Sequence, residues 1–208
     1  MVLPAYIDAS TGAITDGEAW VGIATTTLGS DTASITFTST DDGQVGDFSQ
    51  YMDLVVITYG RTADGGDNSN IWMRFGTGGG SVDTTNGNYK SEYMYGAGGS
   101  ATANVDAQPI VGILPADNLT DASIFGSMVS HLFDVNSGKF KSSVHLSACD
   151  VDADGYVWMQ ALKWKDQGAI TSIQVISKNL GNLKDGTMIS LFGILPRMTP
   201  PSATVTVA

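Results

Sequence analysis

Short stretches in which apolar and polar residues alternate recur along most of this chain, and turn residues separate them. That pattern constrains the fold more than any other feature, because a period of two belongs to a strand with one face covered. In "SITFTST", Ile35 and Phe37 alternate with Ser34, Thr36 and Thr38. "NIWMRFGT" sets Ile71, Met73 and Phe75 against Trp72 and Arg74, and "NYKSEYMYG" places Tyr89, Ser91, Tyr93 and Tyr95 on one face. "KFKSSVHLSA" puts Phe140, Ser142, Val144, Leu146 and Ala148 together. "YMDLVVITYGRT" has a β-branched centre from Val55 to Thr58, and "PIVGILPA" is a short apolar run closed by Pro115. "YVWMQALKWK", "ITSIQVISK" and "TMISLFGIL" complete the set. Between them lie Asp41-Asp42-Gly43, Asp64-Gly65-Gly66, Asn86-Gly87, Ser137-Gly138 and Asp185-Gly186. About eight to ten strands at this spacing predict an all-β, antiparallel sandwich or barrel.

One segment competes with that reading. In "DASIFGSMVSHLFDV", Ile124, Phe125, Met128, Val129, Leu132 and Phe133 fall in a helical stripe, with Thr120 or Asp121 as an N-cap. Gly126, Val129 and the hairpin-like "NSGKF" that follows favour a strand, which is the preferred reading. The ends carry no sustained alternation. The chain is read as an extended N-terminal arm over 1–18, a β-sandwich domain over 19–196 and a flexible tail over 197–208, where Pro200 and Pro201 interrupt any strand.

Composition narrows the function. Acids outnumber bases 21 to 10, a net charge of −11, and all but Glu18 and Glu92 of the acids are Asp. Asp suits turns where Glu suits helices. No Lys/Arg cluster exists to grip a phosphate backbone or an anionic membrane, so neither nucleic acid nor membrane is expected as a partner. The single cysteine, Cys149, excludes an intrachain disulfide. The N-terminus shows neither a basic region nor a long apolar run, so no secretory signal is expected.

Candidate chemistry is sparse. "SACDVDADGYVW" places Asp150, Asp152 and Asp154 at alternate positions before Gly155, as a calcium loop begins. Its twelfth position is Ala161 instead of a bidentate Glu, and a strand follows where a helix should. A solvated hairpin turn is preferred over a three-carboxylate calcium site completed by carbonyls or a neighbour. His145 and Cys149 lie four residues apart on one predicted strand, roughly 13 Å, and cannot share a proton. His145 is expected to face solvent and Cys149 to pack. His131 is the other histidine, so a triad or His-based metal site has little support. "GTGGG" (Gly76–Gly80) and "GAGGS" (Gly96–Ser100) lack the following helix of a phosphate cradle and are read as flexible loops. Tyr89, Tyr93, Tyr95, Trp72 and Trp158 are candidates for a carbohydrate platform, or for core and subunit contacts. No residue is assigned a catalytic, cofactor or metal role, and the chain is read as a non-enzyme.

Several segments together resemble jelly-roll domains in structural proteins of tailed bacteriophages, particularly those of aquatic bacteria. They are "SITFTS" (Ser34–Ser39), "QYMDLVVITYGRT" (Gln50–Thr62), "NGNYKSEYMYG" (Asn86–Gly96), "GKFKSSVHLSA" (Gly138–Ala148), "AITSIQVIS" (Ala169–Ser177) and "NLKDGTMISLFGIL" (Asn182–Leu195). Their order carries the resemblance, which spans about Trp20 to Leu195; Phe192 stands where a Tyr is expected. The resemblance implies a jelly-roll sandwich and a virion component. The first expectation is a capsid decoration or cement protein on the outer surface of the head, made in the host cytoplasm. It would be a homotrimer partnered with the major capsid protein. The alternative is a head- or tail-fibre domain that binds a host-surface glycan. A negative surface would keep such a protein off packaged DNA.

Overall fold

A computed structural model of the chain describes residues 6–7, 14–15, 20–119, 121–151 and 154–195. Most of the expected arm and tail, with Thr120, Asp152 and Ala153, lies outside the described residues. Within the arm, β1 (Tyr6–Ile7) pairs antiparallel with β2 (Ile14–Thr15). Twelve further strands form two antiparallel sheets, and no α-helix occurs among the described residues.

The eight-stranded sheet runs in the order β3 (Trp20–Thr27), β14 (Met188–Ile194), β5 (Asp53–Gly60), β10 (Gly126–Phe133), β11 (Lys141–Val151), β12 (Asp154–Trp164), β7 (Tyr89–Ala97), β8 (Ser100–Asp106). The four-stranded sheet runs β4 (Ser34–Thr38), β13 (Ser172–Ser177), β6 (Asn68–Gly76), β9 (Ile110–Pro115). With the hairpins β7–β8 and β11–β12 set aside, successive strands alternate between the sheets except at β6 and β9, which pair with each other in the four-stranded sheet. The remaining orders, β3-β14-β5-β10 and β4-β13-β6-β9, are those of an eight-stranded jelly roll. Both hairpins add to the β10 side of one sheet, so it continues past the jelly roll as a four-stranded wing.

Two apolar clusters follow from this layout. Between the sheets lie Leu54, Val56, Met73, Phe75, Leu114, Leu132, Ile173, Val175 and Leu191, the inward sets of the alternating strands. A second cluster, with Trp72, Ile110, Ile113, Val151 and Trp158, fills the space between the wing and β9. The wing thereby covers the β9 edge. Close approach is required there: a Cβ on Gly112 would lie 2.7 Å from the Ser147 hydroxyl.

The competing helical stripe is a strand, β10, as preferred from the sequence. Its partners on both sides, β5 and β11, satisfy its backbone over nearly its whole length. Two strands exceed the eight to ten expected. β3 ends in three threonines, and β8, "SATANVD", lacks an apolar core face; pairing with a neighbour rather than burial makes β8 a strand. "GAGGS" is accordingly no flexible loop. Gly98, at φ 53°, and Gly99 form a tight two-residue turn, and β7 and β8 pair up to Ala97 and Ser100.

Candidate interaction surface

From Lys141 to Ser147, β11 carries its apolar residues on the outside. Val144 and Leu146 face solvent, whereas Lys141, Ser143, His145, Ser147 and Cys149 point inward and are buried. Alternation identifies which side chains share a face, but it does not say which face meets the core. The inward face is polar because its groups find partners. His145 Nδ1 lies 2.7 Å from Ser130 Oγ, and its Nε2 lies 2.8 Å from Ser143 Oγ. Ser147 Oγ accepts the Ile113 N–H at 3.0 Å, and Lys141 Nζ donates to the carbonyls of Ser137 and Lys139. Small serines also let β9 approach closely. The expectation that His145 faces solvent is therefore corrected: it is fully buried, and desolvation drives its pKa down to about 3, which keeps the imidazole neutral. Cys149 is packed as expected, and burial pushes its thiol up to about 12.

The outward residues align across strands. Register places Ile57 opposite Val129, Val129 opposite Leu146, Leu146 opposite Met159, Met159 opposite Met94, and Met94 opposite Ala103. One apolar row thus crosses six neighbouring strands. Val129 is 42% exposed, Leu146 and Met159 54%, and Met94 60%. The flanking rows add Val144, Ala161 and Val105 on one side, and Ala148, Val157 and Ala101 on the other. Toward the wing tip the face forms a concavity of about 640 Å³, lined by Met94, Ala103, Val105, Val144, Met159 and Ala161, with Glu92 as its charged residue. Lys90 and Lys163, paired across β7 and β12, mark a polar margin. Soluble monomers rarely show a contiguous apolar face of this extent without a partner for it. Covering one of these half-exposed side chains contributes on the order of 1–2 kcal/mol. Methionine suits such a surface because its unbranched chain adapts to a neighbour.

The aromatic residues do not build an open platform together. Tyr89 and Trp72 are buried; the Tyr89 hydroxyl donates to the Asp83 carbonyl at 3.0 Å, and Arg74 lies 4.9 Å over the Trp72 ring. Trp158 stacks against both Tyr93 and Tyr95, with ring centroids 4.5 and 4.8 Å away, and its indole donates to Gln160 Oε1 at 2.9 Å. Only Tyr93 and Tyr95, of these five, stay half-buried.

His131 and His145 project from opposite faces of the sheet, so they share no site. His131 Nε2 lies 2.8 Å from Asp53 Oδ2 and its ring stacks on Phe133. In the aspartate stretch, β11 and β12 pair up to Val151 opposite Asp154, and Asp150 faces Gly155. That register makes β11 and β12 consecutive antiparallel neighbours. Asp152 and the Asp154 side chain lie outside the described residues. On the outer face, the sequence groups Val144 with Leu146 by alternation; joining them to Met159 and Met94, on two further strands, requires the register.

No family model and no curated protein matches this chain. Among solved structures it is similar to the exoplasmic/lumenal domain of VIP36 in its Ca2+/Man3GlcNAc-bound form, with a TM-score of 0.25 and 10% identity over 88% of this chain and 84% of that one. The Ca2+/Man2-bound form gives a TM-score of 0.26 and 9% identity, over 95% and 82%. Likeness at this level carries no functional argument.

Proposed function

We propose that this chain is a structural protein of a tailed-phage virion that decorates the outer surface of the capsid and stabilises the shell. It acts by association and performs no reaction. The homotrimer and the major capsid protein are the partners this reading assigns. The observation that carries it is the exposed apolar row from Val129 through Leu146 and Met159 to Met94, a surface suited to protein contact. Its central residues are uncharged, so covering them desolvates no ion. Removing the protein from virions tests the proposal. Heads lacking it should burst at lower temperature or on milder dilution of salt than complete heads; equal resistance would contradict the cement role.

The alternative, a fibre domain that binds a host-surface glycan, rests on the half-buried rings of Tyr93 and Tyr95 beside Trp158. It predicts saturable quenching of tryptophan fluorescence by host polysaccharide, which the decoration reading does not.

A further inference from the structure

We infer that the wing tip is a pairing edge for a second copy of this chain, with β8 of each copy joined antiparallel about a two-fold axis at Ala103. The inference stands on the geometry of β8 and does not depend on the virion reading.

β8 ends the eight-stranded sheet, and no described strand pairs with its outer side. Native edge strands are usually blunted by Lys, Pro, a bulge or shortness. β8 has none of these: it is seven residues, "SATANVD", in unbroken register with β7 and exposed for most of its length. Its hydrogen-bonding groups are set by the turn. In a two-residue hairpin the closing pair, Ala97 and Ser100, exchanges both bonds, and pairs then alternate. Ser100, Thr102, Asn104 and Asp106 therefore bond to β7, while Ala101, Ala103 and Val105 aim their N–H and C=O groups outward. The Val105 N–H agrees with this, since it donates to Asn104 Oδ1 at 2.8 Å instead of to β7.

The strand is complementary to itself about Ala103. Two-fold antiparallel pairing sets Ala103 against Ala103, Ala101 against Val105, Thr102 against Asn104, and Ser100 against Asp106. Small apolar side chains meet on the outer face, polar ones meet on the inner face, and no like charges are opposed. The outward groups of the two copies supply about six main-chain hydrogen bonds, two of them formed when each Val105 N–H exchanges Asn104 Oδ1 for the facing Ala101 carbonyl. The same pairing makes the apolar row continuous between copies, since Ala103 follows Met94 in that row. A contact of this kind is isologous and closes on itself. If trimers form through another surface, it joins them in pairs.

Sedimentation velocity on the full chain at ~100 μM, with A103P and A103K variants, reads the association directly. A103P removes an N–H that β7 does not use, so the β7–β8 hairpin persists, and A103K keeps the backbone intact. The wild-type protein should sediment as two chains or an even multiple, and both variants at half that mass with unchanged circular dichroism. Monomeric wild-type protein, or variants of unchanged mass, would overturn the inference. The register is checked by A103C, which should give a disulfide-linked dimer under oxidation, because paired positions stand ~5.5 Å apart. S100C should give none, because its copies lie roughly 20 Å apart. Cross-linking of S100C, or none with A103C, would overturn the two-fold pairing.

Discussion

Leu146 lies directly opposite Met159, and both turn 54% of their surface to water while the preceding residue, His145, is fully buried. A strand with an apolar outside and a polar inside makes sense if its outside meets another protein. Leu146→Lys and Met159→Lys should therefore weaken binding to capsid shells stripped of the protein by at least tenfold in co-sedimentation. The melting temperature of the free chain should stay close to that of the wild type, since surface substitutions usually change stability by less than about 0.5 kcal/mol. Undiminished binding would mean that this face is not the contact.

His145 makes stability depend on pH. Its folded pKa, about 3, lies below the unfolded value near 6.5, so between these limits the unfolded chain binds more protons. Stability should rise with pH through this window and fall, by up to a few kcal/mol, as pH drops from 6.5 toward 3. The carboxylates of Asp31, Asp42, Asp47 and Asp83 are held below their ordinary range and lose their contribution only at lower pH. Thermal melts from pH 7 to 4.5 thus isolate the histidine. H145Q should flatten the slope relative to the wild type, and parallel slopes would count against the buried neutral imidazole.

Asp83 ties the start of the wing to the core. Burial opposes its charge, but hydrogen bonds from the Trp164 indole and Asn88 Nδ2, both at 2.9 Å, and from the Thr85 N–H at 2.8 Å outweigh it. Asp83→Ala leaves these donors unmatched and should cost about 2 kcal/mol, or roughly 5 °C in melting temperature. Scanning calorimetry would measure it.

The hairpin between β11 and β12 predicts that a calcium chelator leaves the melting temperature unchanged. A drop of several degrees would assign a metal to the loop around Asp150.

The strands were legible wherever an apolar face repeats, from Ile35 to Leu191. β8 was not, because Ala and Ser carry no burial signal and its order comes from pairing with β7. Neither was the buried site of His145, because a polar strand face reads as solvated until Ser130 and Ser143 are seen to flank the ring. The exposed apolar row was hidden for a related reason: Leu146, Met159 and Met94 lie on three strands, and only register brings them together.

The most direct test of the decoration role is the copy number of this protein in purified virions, measured by quantitative mass spectrometry against the major capsid protein. A copy number comparable to that of the shell protein is the predicted result. A ratio far below it would place the protein in a fibre or tail, and its absence from virions would contradict the account altogether.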